Sequence, residues 1–418
     1  MMRVVILSTR ISGNDGVSLE CNNWRKVFAA KGDKVTLVAG ELDARGILIP
    51  ELHFQHPKIA TIHDDIVYNA KSYKEVYPAI EKMSSRIQSS LEEVLDFSNV
   101  DLLVLANVLS LPMNIPLAVA ITDLIKKYQI KTVARHHDFW WERERFEKLD
   151  QDWRPFLEKY FPPDIPCIKH VVINSISQRK LLERTGLRSE IIWDSFDENL
   201  LKMKNDGFLK HFKDDLKIKK TDIVFLNATR LIKRKRIELG IKLISKLGNK
   251  NILYLLSGRQ GDENGNYKKE LKELAKELRV RLRFIGSKVD SKRKLILVRK
   301  NGSVEKRRIY SLWDCYRMAD FVTYMTGIEG FGNQFVEAVF FKKPLIMTPY
   351  PVYEKDIKPL GFRPIEVSGG ITNKDVTKVT KYLDDPRLYN KDALKNYQLA
   401  QKYLSYGWVS KSIGRLIS

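Results

Sequence analysis

Two glutamates eight residues apart bracket a glycine turn in Glu329-Gly330-Phe331-Gly332-Asn333-Gln334-Phe335-Val336-Glu337. Glycines let a backbone approach a ligand closely, and a helix opening after them offers free N–H groups to an anion. The two carboxylates can accept hydrogen bonds from hydroxyl groups. The set suits a ligand with a phosphate centre and polyhydroxyl ends. Taken alone, a glycine-rich strand–helix turn with a solvent-facing glutamate would look the same. A dinucleotide fingerprint is excluded, because Phe335 stands where its third glycine belongs.

Three further stretches carry chemistry. Arg230-Leu231-Ile232-Lys233-Arg234-Lys235-Arg236 gathers cations that could hold a diphosphate and offset charge on a departing phosphate. A basic surface loop is the plainer alternative. Ser12-Gly13-Asn14-Asp15-Gly16 is a small loop of the kind that admits a phosphate or sugar, and ordinary tight turns share it. Arg135-His136-His137-Asp138-Phe139-Trp140-Trp141-Glu142 offers aromatic faces for a sugar ring and polar groups for its hydroxyls. That makes His136, Asp138, Trp140 and Trp141 acceptor candidates. One of the two histidines fits equally well as a satisfied core residue. No further ligands stand at zinc spacing, and no metal site is expected.

All four stretches sit just after short apolar, β-branched runs. In the first half these runs are 3–7, 34–38, 101–106, 131–135 and 170–174; in the second, 222–227, 251–256, 281–286, 320–325 and 343–347. Apolar on both faces, they read as parallel strands buried between helix layers. Amphipathic stretches alternate with them, at Val17–Lys31, Glu75–Leu95 and Ile115–Lys127, then near 236–247, 266–278, 310–318 and 333–341. Two such series predict an α/β protein of two facing, doubly wound Rossmann-like domains with a central cleft, ligands lying at the carboxyl ends of the strands. The expected division is 1–200, 201–400 and a C-terminal helix in 401–418 free to pack back on the N-terminal domain. The join is expected in the polar stretch Ser195–Asp215. Residues 294–309 interrupt the alternation as a basic hairpin turning at Asn301-Gly302.

Composition narrows the classes. The chain has 418 residues, 44% hydrophobic and 30% charged, with 73 Lys and Arg against 51 Asp and Glu. The net charge of +22 favours anionic partners. Runs such as 216–220 and 291–300 also read as solvated faces. No apolar run approaches the ~20 residues of a membrane span, and the N-terminal stretch lacks a secretory pattern, so a cytoplasmic enzyme is expected. Cys21, Cys167 and Cys315 are odd in number and far apart, which argues against a disulfide framework or structural zinc.

With these residues in place, the chain resembles the retaining GT-B glycosyltransferases of family 4. Glu329 and Glu337 match that family's E-x7-E signature, and Arg230 and Lys235 its Arg-x4-Lys clamp. Asn14-Asp15-Gly16 is similar to its first glycine loop, and His137, with His136 beside it, to its active-site histidine. The resemblance implies a nucleotide-diphosphate sugar donor, GDP-mannose or UDP-glucose, with Mg2+ left open. It implies that Glu337 binds the ribose, that Asp15, Gly16, Gly330, Phe331, Gly332 and Asn333 line the donor, and that Arg230 and Lys235 hold the leaving diphosphate. Glu329 and His137 would touch the donor sugar. Configuration would be retained, the departing phosphate helping to deprotonate the acceptor. No glycosidase-like carboxylate pair competes with that reading.

Two features depart from the family. Ser257-Gly258-Arg259-Gln260-Gly261 replaces a richer glycine segment, and the hairpin is an addition. His63-Asp64-Asp65, the nearest approach to a DxD metal site, reads as an ordinary loop. The stretch from TYMTGIEGFG to YEKDIKPLGF is similar to a branch that includes mannosylglucosylglycerate synthases, which implies an acceptor such as glucosylglycerate. A lipid or polysaccharide acceptor at the inner membrane face, reached by peripheral contact, is the alternative. Nucleic-acid binding rests on charge alone, with no recognisable motif. A GT-B phosphorylase would need a pyridoxal lysine that no segment announces. Oligomeric state is not legible.

Overall fold

The computed structural model describes the chain apart from residues 14, 150, 203–206, 260–265, 301–302 and 418, and gives only the backbone of 300 and 303. The chain forms two compact units, Met1–Asp194 with Tyr406–Ser418, and Ser195–Ser405.

The first unit is built on a seven-stranded sheet. Its strands are β1 (Arg3–Leu7), β2 (Lys34–Ala39), β3 (Ile47–Leu48), β4 (Leu102–Ala106), β5 (Thr132–His136), β6 (Ile168–Val172) and β7 (Ser189–Ile191). They pair in parallel in the order β3-β2-β1-β4-β5-β6-β7. The two-residue period of a strand sorts its side chains between two cores. Val5, Leu7, Leu103 and Leu105 pack with helices Pro57–Val67, Tyr73–Val94 and Ile115–Tyr128. Val4, Ile6, Leu102 and Val104 pack with helices Gly16–Ala30 and Tyr406–Ile417. β4 and β5 are buried along their whole length, which is why they read as continuous runs.

Local chemistry sets the helix ends. The Asp15 carboxylate accepts from the Ser18 N–H, and Asn114 accepts from Leu117 ahead of Pro116. Ser72 and Glu75 form a reciprocal capping box, and Gly186 ends its helix in the left-handed region. The C-terminal helix is tied in by Lys31 Nζ on Ser410 O (2.9 Å), Lys169 Nζ on Leu416 O (2.6 Å) and the stacking of Trp193 on Trp408.

The second unit carries a six-stranded sheet of β8 (Ile223–Asn227), β9 (Ile252–Leu256), β10 (Leu282–Phe284), β14 (Phe321–Tyr324), β15 (Leu345–Met347) and β16 (Ile365–Glu366). Its order is β10-β9-β8-β14-β15-β16, again parallel. Between β10 and β14 the chain makes a separate three-stranded sheet in the order β11-β13-β12, from β11 (Val289–Asp290), β12 (Lys294–Lys300) and β13 (Ser303–Ser311). β12 and β13 pair antiparallel in full register from Lys294–Ile309 to Lys300–Ser303. The Asn301-Gly302 turn lies outside the described residues.

Two expectations change on this framework. His63-Asp64-Asp65 belongs to the helix Pro57–Val67, where His63 packs against Phe146 rather than sitting in a loop. The stretch expected as a linker holds the short helices Gly207–Lys210 and Phe212–Asp215, whose Leu209 and Phe212 are buried; residues 203–206 lie outside the description. The chain leaves the first unit at Ser195 and returns at Tyr406.

Candidate active site

In the second unit the loops after β8 and β14 meet. Asn227 closes β8 by donating to Thr323 O while its Oδ1 accepts from Thr229, which fixes the first turn of the basic loop. The loop after β9 approaches so closely that a Cβ on Gly258 would lie 1.7 Å from Thr229 O, so only glycine fits. Lys235 then turns inward, 9% exposed, and its ammonium is ion-paired with the Glu329 carboxylate. Arg234 Nη1 stands 3.9 Å from the same carboxylate. Burial holds Lys235 below the usual lysine range; Glu329 opposes that shift, and Arg234 and Arg230 add to it. Arg230 is exposed on the same loop, with no ion pair among the described residues.

The glycine turn is equally constrained. Gly332 has φ +111°, and a Cβ there would lie 2.4 Å from the Tyr350 hydroxyl, which donates to Phe331 O at 2.6 Å. The Phe331 ring is buried, so the turn can offer a ligand only that residue's backbone. Helix Asn333–Phe340 follows, anchored by Gln334 Nε2 on Thr323 O (3.1 Å). One turn in, Glu337 is buried and accepts a hydrogen bond from the Tyr316 hydroxyl. Burial pushes its carboxyl up to about 7; the Tyr316 hydrogen bond and the Lys235 charge act the other way. Buried Tyr324 completes the group, its ring centroid 5.9 Å from Lys235 Nζ, its phenol raised by burial and by Glu329. Lys235 is thus ion-paired with Glu329 and near enough to Glu337 for its charge to act on that carboxyl, with the turn Gly330–Asn333 between the two glutamates in sequence.

In the first unit, buried Arg135 bridges two carboxylates, Nη1 on Glu20 Oε2 and Nη2 on Asp194 Oδ1, both at 2.7 Å. Its guanidinium also lies 5.0 Å from the Trp24 ring centroid. Burial and the neighbouring Glu20 raise the Asp194 carboxyl, and Arg135 opposes. Past the end of β5, Asn107 Oδ1 accepts from the His137 N–H at 2.7 Å and sets the turn. The His137 ring is 9% exposed, and its two nitrogens make no hydrogen bond among the described residues. Nε2 stands 3.7 Å from Asp194 Oδ1. Burial, then Arg135, hold this imidazole well below its ordinary range, so it is neutral at pH 7. Asp15 serves as a helix cap and pairs with Arg10, and Gly16 opens that helix; Asn14 lies outside the described residues.

Three acceptor candidates are buried. His136 is a core histidine, 1% exposed, its Nε2 2.9 Å from His170 Nδ1. Trp140 donates to Phe161 O inside the core, and Trp141 stacks on Phe139 at 4.5 Å; each is 6% exposed, leaving no face for a sugar. Asp138 remains partly exposed, paired with Arg143. The residues missed are Tyr316, Tyr324, Asn107 and the Glu20–Arg135–Asp194 triad, which announce themselves by no local spacing. Among the described residues no group of three His, Cys, Asp or Glu could hold a metal ion, and no helix is long and apolar enough to cross a membrane.

Two parallel-sheet units with functional loops at the strand ends define a GT-B glycosyltransferase. Anabaena HepE, solved with UDP-glucose, superposes with a TM-score of 0.65 at 14% identity, covering 99% of both chains. WaaG, a glycosyltransferase of lipopolysaccharide biosynthesis, gives 0.63 at 12% identity, also over 99% of both. No protein-family model matches the chain. The chain belongs to the mannosylglucosylglycerate synthase family. It is 34% identical over 387 aligned positions to the Petrotoga mobilis enzyme, covering 88% of this chain and 86% of that one. To the Thermotoga maritima enzyme it is 31% identical over 438 positions, covering 97% of each.

Proposed function

We propose that this glycosyltransferase moves a mannosyl group from GDP-mannose to a hydroxyl of glucosylglycerate, with retention of configuration. The names of the two relatives support the product, a mannosyl unit on glucosylglycerate. The observation that carries the site is the cluster of buried Lys235 and Glu337 with partly buried Glu329 around the glycine turn.

Glu337, held by Tyr316, accepts hydrogen bonds from the donor ribose. The backbone of Gly330–Asn333 and the N-terminus of the helix it opens receive the diphosphate. Arg230 and Lys235 take up negative charge as the bond between the sugar's anomeric carbon and the phosphate oxygen breaks. The new bond forms from that carbon to the acceptor oxygen, whose proton passes to the departing phosphate. Glu329, now paired with Lys235, touches the donor sugar when the phosphate takes its place on the lysine. In the first unit, neutral His137 has a ring nitrogen available to a hydroxyl.

The experiment is a thermal-shift series at fixed salt with GDP, UDP, ADP and their sugar conjugates, with and without Mg2+. A ligand selective for the folded state raises stability by RT ln(1 + [L]/Kd). A shift with GDP and GDP-mannose that disappears in Glu337→Ala supports the reading. A shift with UDP-glucose alone replaces the donor, and no shift with any nucleotide contradicts the site.

A further inference from the structure

The β12–β13 ribbon has no part in the site above, and its two faces differ. Cross-strand partners share a face, so the register puts Leu295 with Arg308, Leu297 with Lys306 and Arg299 with Val304 on one side. That face carries three aliphatic and three cationic side chains and no acid. Leu295, Leu297 and Val304 are 55%, 69% and 58% exposed. Folded proteins rarely leave three large aliphatics together in water without a use. The opposite face pairs Lys294 with Ile309, Ile296 with Arg307 and Val298 with Glu305; it differs in holding the acid Glu305 and the buried Ile309, and its Ile296 is less exposed, at 37%.

The root of the ribbon is held firmly. Tyr310 donates to Asp215 at 2.7 Å, Arg308 reaches the same carboxylate at 3.4 Å, and Arg293 bonds buried Asp314 through Nε and Nη2. Phe212 packs edge-on against Tyr310. Farther out, Arg299 and Lys306 have no ion pair among the described residues. A braced root carrying an apolar, cationic outer face is built to touch something apolar and anionic.

We propose that this face seats on an anionic lipid surface, the aliphatic side chains entering the headgroup boundary while Arg299 and Lys306 meet lipid phosphates. Such pairing of apolar burial with cationic contact is the physics of interfacial attachment, and long basic side chains reach the phosphates while their stems stay apolar. Two other partners fit less well. A second copy would set this uniformly cationic face against itself, and the face has no aromatic ring on which a nucleic-acid base could stack.

The test uses the full chain in vesicle flotation. Vesicles of phosphatidylcholine alone are compared with vesicles containing phosphatidylglycerol at 0.05 and 0.3 M salt. The protein floats with the anionic vesicles only, and less at high salt because exposed charges are screened. Lys306→Glu weakens binding at least fivefold, the expectation for losing one surface-proximal cation. Leu295→Asn/Leu297→Asn weakens it tenfold or more while leaving the nucleotide thermal shift unchanged, which shows the fold intact. No flotation of the wild-type chain, or flotation indifferent to both variants, overturns the proposal. So does retention by RNA in place of vesicles, or a concentration-dependent dimer that the leucine variant abolishes.

Discussion

Lys235 and Glu329 lie 94 positions apart, yet they are ion-paired with side chains only 10% and 11% exposed. Each comes from a loop after a different strand, so the pair exists only because β8 and β14 are sheet neighbours. A buried cation already neutralised is poised to exchange its carboxylate for a phosphate, and the exchange matters most as charge develops on the leaving group. Lys235→Met should therefore lower kcat about 100-fold while weakening donor binding less than tenfold. Because Glu329 would keep only the more distant Arg234 as a cation, the single variant should also lose stability. Lys235→Met/Glu329→Gln should regain the stability and not the turnover. Steady-state kinetics and thermal melts of both variants check this; equal loss of kcat and affinity would remove the leaving-group role.

Glu337 gives the pH dependence. Its carboxyl is raised from the usual carboxylate range to about 7. A group raised on folding adds stability that is full below its unfolded value, near 4.5, and is lost as pH climbs through about 7. The ligand-free protein should lose stability from this group over that window, on the order of 3 kcal/mol in all, and Glu337→Gln should flatten the slope. Ribose hydroxyls donate to the ionised form, so donor affinity should rise with pH through about 7. Calorimetric titration between pH 5.5 and 8.5 reads both signs; affinity that falls with pH would place the ribose elsewhere.

Arg135 is the electrostatic keystone of the first unit. Arg135→Met leaves Glu20 and Asp194 buried without their cation, a change that costs about 3–5 kcal/mol. The first unit's melting transition should drop by about 10 °C and recover in acid as the raised Asp194 carboxyl protonates. Scanning calorimetry at pH 5 and 8 checks this, and a variant that melts like the wild type at pH 8 would show the triad to be energetically idle.

Gly332→Ala should disturb the donor turn without touching any charge. Its positive φ and the 2.4 Å approach to the Tyr350 hydroxyl leave no room for a Cβ. The cost is about 2 kcal/mol or more, with donor affinity reduced alongside. Gly370→Ala, where a Cβ meets nothing within 4 Å, is the control. Equal behaviour of the two variants in melting and nucleotide binding would sink the argument.

Much of the fold was legible because buried parallel strands write themselves as apolar runs and helices as periodic ones. Long strands such as β4 and β8 fall within a residue or two of their expected limits. Two- and three-residue edge strands such as β3, β7 and β16 carry too little pattern to see. The position of the acidic and basic stretches in loops after strands was legible because the strands before them are apolar runs. Partnership was not. Arg135 finds Glu20 at 115 positions' distance, and nothing local to either announces it. The burial of Trp140 and Trp141 was illegible too, since an aromatic pair after a strand looks the same whether it lines a sugar site or fills a core.

The most direct measurement is the product itself. Purified enzyme is incubated with GDP-mannose and glucosylglycerate, and the new anomeric signal is followed by NMR. The account predicts a mannosylglucosylglycerate with the α-configuration of the donor retained, and its loss in Lys235→Met. A β-linked product, or hydrolysis of the donor with no transfer to glucosylglycerate, would contradict it.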